Sequence, residues 1–197
     1  MTENDLAQAL TAASQAITEQ GELPLPVRDR LKSALRKLCD SDEVFFRVWS
    51  RLQLRCAQYS HWVWRRQFPN EPDPVQFAEN CLQQRCAAES ALVELAHLRK
   101  SLDDKLLLGP DVFPAVYAGF AGWAAARDML GGPRAMGLAQ SELDVDPQDW
   151  DACFQASIAV AGAATWEDGG GDREQRRQFW RWYLTEAIPN AVENHIG

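Results

Sequence analysis

Apolar residues recur along most of this chain at intervals of three and four, the spacing of helices that bury one face. Thr2 with Asp5 makes an N-cap arrangement, after which Leu6, Ala9, Leu10, Ala13, Ala16 and Ile17 keep helical spacing up to Gly21. Pro26 suits the first turn of a second helix, with Val27, Leu31, Ala34, Leu35 and Leu38 on one face. Arg28, Arg30, Lys32, Arg36 and Lys37 make its other side basic. Ser41 can cap a long third helix, with Asp42 and Glu43 in the first turn, where the helix dipole favours acids. Its apolar stripe is Phe45, Val48, Trp49, Leu52, Cys56, Tyr59 and Val63, and the prolines at 69, 72 and 74 break it. A fourth helical region, one helix or two, runs from Asp73–Pro74 to about Leu107, marked by Val75, Ala78, Leu82, Leu92, Leu95, Leu102 and Leu106.

The pattern then changes. Val112 to Leu130 is apolar on nearly every face, with Phe113, Val116, Tyr117, Phe120 and Trp123 among alanines and glycines, as in a helix enclosed by others. An acidic connection, Ser141 to Asp149, leads to a sixth helix from about Pro147. That helix carries Trp150, Cys153, Phe154, Ile158 and Ala161, and small residues (Ala156, Ser157, Ala159, Ala163, Ala164) that allow close approach of a neighbour. Glu167 to Asp172, with three consecutive glycines, is a turn. A last helix from Asp172 to about Ile188 places Phe179, Trp180, Tyr183, Leu184 and Ala187 on one face. No alternation of strand type has useful length. The expected fold is all-α, one domain over residues 1–197, a bundle of about seven helices with a central apolar helix pair.

Composition supports a packed core: 46% of residues are hydrophobic and 24% charged, and eight Trp, eight Phe and three Tyr supply bulky anchors. The five cysteines contain no CxxC pair and mostly occupy apolar helical positions, where thiols act as small hydrophobes. With a polar start in place of a leader-like segment, this predicts a reducing cytoplasmic setting. No apolar run approaches the length needed to span a membrane. Net charge is −8 but uneven, since residues 28–66 hold ten Lys/Arg against four Asp/Glu. An acidic protein is a poor general nucleic-acid binder and a reasonable partner for a basic protein.

Motifs for chemistry are missing. His61, His97 and His195 lie far apart with no HExxH spacing, and GxSxG, GxxxxGK[ST] and GxGxxG do not occur, so neither a metal nor a cofactor is expected. Asp144, Asp146, Asp149 and Asp151 do not fit a calcium loop, because Gln148 and Asp149 fall where a ligand and glycine are required. Asp103–Asp104 reads as a solvated helix end. Arg47, Arg51 and Arg55, four apart, with Arg65 and Arg66 could form a nucleic-acid face, or could pair with acids of the C-terminal half.

One cluster reads as contact material. Glu142, Asp144, Asp146, Asp149 and Asp151 give five acids in ten residues with no base, joined further on by Glu167, Asp168 and Asp172. Acids grouped on loops can steer a cationic partner, so these eight are the candidate partner-binding residues. Trp150, within the cluster, reads as core.

Arg176 to Ala191 reads RRQFWRWYLTEAIPNA, with a Trp180–x–Trp182–Tyr183–Leu184 core and a terminal Ala187–Ile188–Pro189. This resembles the C-terminal signature of the mostly α-helical immunity proteins of bacterial polymorphic toxin systems, their fifth family. Arg51 to Phe68, Pro69 to Ala78 and Ala115 to Ala126 are similar to further stretches of that family, so the resemblance covers about residues 45–191. It implies a cytoplasmic protein that binds a cognate toxin domain and neutralises it, without catalysis. The Phe179, Trp180, Tyr183, Leu184 and Pro189 motif reads as a packed terminal helix and its stop. Two other readings stay open: a regulatory or adaptor protein binding another protein or nucleic acid through the basic helix face, and a helical enzyme with an unfamiliar site.

Overall fold

Local signals written into the chain start several of its helices. The computed structural model describes residues 3–83, 88–132 and 140–196, and no strand occurs among them. The helices are α1 (Glu3–Gln15), α2 (Leu25–Leu38), α3 (Asp42–Gln67), α4 (Pro74–Leu82), α5 (Ala88–Leu106), α6 (Phe113–Gly131), α7 (Ala152–Ala161), α8 (Arg173–Trp182) and α9 (Ile188–Ile196). Side chains that accept first-turn N–H groups begin four of them: Ser41 for α3, Asp73 for α4, Asp151 for α7 and Asp172 for α8. Gly162 ends α7 in the left-handed region. The predicted cap at Thr2 lies outside the described residues.

The fold is the expected all-α bundle with a central apolar pair. In α6 everything from Ala118 to Asp128 is buried, and all ten residues of α7 are. Helix α6 packs on α3, α4, α5 and α7, and α7 packs on α3, α6 and α8. Two glycines set the spacing around α6. A Cβ at Gly122 would stand 2.7 Å from the carbonyl carbon of Pro74, and one at Gly119 would meet the Leu102 side chain at 2.4 Å and the Trp64 ring at 2.8 Å. These close approaches seat α4, α5 and the end of α3 on the central helix.

Several boundaries differ from the sequence reading. The fourth helical region is two helices, α4 and α5, each lying on α6. Helix α1 stops at Gln15, and the chain turns through Thr18 and Glu22 before α2. The sixth helix starts at Ala152 rather than Pro147, because Asp151 is the residue that caps it and short 3₁₀ turns occupy 142–144 and 147–149. Pro189 does not stop the last helix. A π turn at Tyr183–Ala187, in which Ile188 N–H donates to the Tyr183 carbonyl, stands directly before it, and the helix continues as α9. The wider turn accommodates a residue that has no N–H to give. No described helix is long and apolar enough to cross a membrane.

Candidate partner-binding face

Two acidic segments, 142–151 and 167–172, flank α7, and buried arginines fix both. Arg28, assigned above to the basic outer side of α2, points inward and is 4% exposed. Its Nη1 donates to Glu142 Oε1 at 2.5 Å and to the Leu23 carbonyl at 3.0 Å, and its Nε stands 3.9 Å from Asp151 Oδ2. The guanidinium also lies over the rings of Phe154 at 4.8 Å and Trp180 at 5.4 Å. Burial opposes its charge, but Asp151 and Glu142 outweigh that and raise its pKa. Further along the first segment, Arg127 of α6 donates to the Gln148 carbonyl and chelates Asp128 Oδ1, while Trp150 Nε1 donates to the Glu142 carbonyl at 3.1 Å.

The second segment is organised by Arg176, on the first turn of α8 and fully enclosed. It donates to the carbonyls of Ala163, Gly170 (2.8 Å) and Gln20 (3.1 Å), and its Nε lies 3.5 Å from Glu22 Oε2. Gly171, at φ +67°, is closed in by the backbone of Ala161 and Ala163, so no side chain fits there. Glu22 connects the two arginine centres. Burial pushes its carboxyl up to about 7, Arg28 and Arg176 pull it down, and Glu142 adds to the rise.

The eight candidate acids therefore divide. Glu142 and Asp151 are buried and serve the core: Glu142 pairs with Arg28, and Asp151 caps α7 through the Phe154 N–H at 2.8 Å. These two are corrected from surface to interior, since Arg28 supplies the countercharge that burial requires. Glu167 is half-buried, accepting from Tyr117 Oη at 2.9 Å and from the Ala164 N–H at 2.7 Å. Asp149 is half-buried, whereas Asp144, Asp146, Asp168 and Asp172 are exposed. Asp144 and Asp146 accept N–H groups of their own loop, and the Gln148 N–H helps hold Asp146 below the usual carboxylate range. Asp172, capping α8, is lowered in the same way by the Gln175 N–H.

The face also contains residues that sequence reasoning passed over. Leu143 is 68% exposed and Trp166 is 40% exposed. Trp166 rests against Trp150 and Phe154, with ring centroids 5.7 and 5.9 Å away, so the two acidic segments meet through aromatic contact. Trp166 thus joins the start of the second acidic segment to Trp150 in the first, and buried arginines hold the backbone of both. A signal for Leu143 was present, since it stands among acids with no helical partners. Trp166 had none, because it follows the helix and precedes the glycines.

The basic stripe is partly open to solvent. Arg47 and Arg51 are exposed and Arg55 is half-buried, while Arg65 lies 3.9 Å from Asp73. Arg28, outside that stripe, pairs with two acids of the C-terminal half, Glu142 and Asp151. Asp103 and Asp104 pair with Arg99 and Lys100 one turn earlier on α5.

The sequence profile described as Immunity protein Imm5 matches residues 12–190. The chain belongs to the Imm5 family of immunity proteins. The match begins inside α1 and ends just after Pro189, so it takes in the N-terminal helices that the resemblance over 45–191 had omitted. Within the Imm5 match lie both acidic segments, the buried Arg28, Arg127 and Arg176, and the central helix pair. No curated protein matches the chain.

Proposed function

We propose that this immunity protein binds a cognate bacterial toxin domain in the cytoplasm and neutralises it as a stoichiometric complex, without catalytic turnover. The contact surface is the face of Asp144, Asp146, Asp149, Glu167, Asp168 and Asp172, with Leu143 and Trp166 as apolar anchors. The observation that carries this reading is the exposed tryptophan set among carboxylates on a braced loop. Charges steer encounter and fix orientation, whereas affinity comes mainly from a few desolvated anchors, in which Trp is enriched. Bracing by Arg28, Arg127 and Arg176 keeps the loops in one shape before the partner arrives, which lowers the ordering penalty of association.

The test uses the cognate toxin domain, sought among the genes that neighbour this one. Asp168→Lys alters an exposed charge and should slow association and reduce its salt dependence. Trp166→Ala should speed dissociation and weaken the complex about tenfold or more, as loss of an anchor does. Affinity unchanged in both variants would remove this face from the account.

A further inference from the structure

A recess lies outside the two acidic segments. Helices α4 and α5 each pack on α6, leaving between them a groove of about 420 Å³. Trp64, Pro72, Phe77 and Leu98 make its apolar lining, and Glu71, Asp73 and Glu94 place three carboxylates in its wall. No lysine or arginine is among the described residues that line it. At its edge the fold already holds one cation in this manner: Lys105 Nζ sits 5.2 Å over Phe68 and 5.9 Å over Trp64, and 3.1 Å from Glu71 Oε2. On the Asp73 side, His61 Nε2 lies 2.8 Å away and Arg65 3.9 Å.

Trp64 adds an independent observation. It is 1% exposed, and its Nε1–H has no acceptor among the described residues. The Cε3–Cζ3 end of its ring is the end that faces Gly119 of α6, so the N–H is at the opposite end of the indole. A buried donor without an acceptor is costly to leave so, and an oxygen brought into the lining would relieve it.

We infer that the α4–α5 groove is a receptor for an arginine side chain presented by a protein partner. The guanidinium meets the carboxylates of Glu94 and Asp73, its aliphatic stem lies along Phe77 and Leu98, and the peptide carbonyl beside it is the acceptor for Trp64. Aromatic faces next to carboxylates are the surroundings in which a weakly hydrated, planar cation binds best. For the identity of the partner this rests on the immunity reading; for the chemistry of the groove it does not.

The full-length protein is titrated with an acetylated, amidated Leu-Arg-Leu peptide and, separately, with Leu-Glu-Leu. The indole N–H signal of Trp64, assigned from its loss in Trp64→Phe, is followed by NMR. The arginine peptide should shift that signal saturably, the glutamate peptide should leave it in place, and Glu94→Lys should weaken the arginine peptide at least about tenfold. Glu94 is exposed, so this variant leaves the core intact. Equal shifts with both peptides, or none with either, would overturn the inference. A toxin complex that forms normally with Glu94→Lys, alongside a silent peptide titration, discards the groove and leaves the immunity reading standing. A positive peptide titration with no binding of the toxin does the reverse.

Discussion

Arg28 illustrates how a single side chain can be indispensable while looking like an ordinary surface residue in sequence. Its removal leaves Glu142 and Asp151 buried beside each other with their countercharge gone. Arg28→Ala should therefore destabilise the fold by roughly 3–5 kcal/mol, read from urea unfolding, since breaking a buried pair strands the remaining charge. A loss below about 1 kcal/mol would mean that the cluster is not the brace described. Glu22 yields a pH prediction. Its folded pKa of about 7 lies above the ordinary 4.5, so the folded state binds the proton more tightly. The stability this contributes is complete below about pH 4.5 and is lost as pH rises through 7, on the order of 3 kcal/mol in all. In Glu22→Gln, which keeps the uncharged form at every pH, that part of the decline should disappear. Parallel stability profiles for the two proteins between pH 5 and 7.5 would refute the assignment.

At the scale of elements, the caps, the apolar stripes and the central helix were legible because each depends on neighbours in sequence. Ser41, Asp73 and Asp172 announced helix starts that the structure keeps. The all-round apolarity of Val112 to Leu130 marked α6 as the enclosed helix. What escaped depends on contacts far apart in the chain. Arg28 and Glu142 are 114 positions apart, so no local pattern could move them from surface to interior. Likewise Pro189 carries a stop signal that the preceding π turn overrides. The glycines of α6 give a direct check on its packing. Gly122→Ala puts a methyl group against the Pro74 backbone, which cannot swing aside as a side chain can. That variant should lose about 1–3 kcal/mol. Gly131→Ala, where the added carbon meets nothing within 4 Å, should change stability little or raise it slightly.

Across the whole molecule, charge is sorted by depth as well as by position along the chain. Arginines that lie inside hold loops in place, while the carboxylates of Asp144, Asp146, Asp168 and Asp172 remain outside beside Leu143 and Trp166. This sorting explains how the second acidic segment can contain three consecutive glycines and still hold one shape. The central claim is that this surface captures a toxin one to one. Isothermal titration calorimetry of the purified protein against its cognate toxin domain, with toxin activity assayed at each molar ratio, tests that claim most directly. The account predicts a single transition at one equivalent and toxin activity falling to background at the same point. Heat that saturates with activity undiminished, or the absence of any binding heat at low salt, would contradict it.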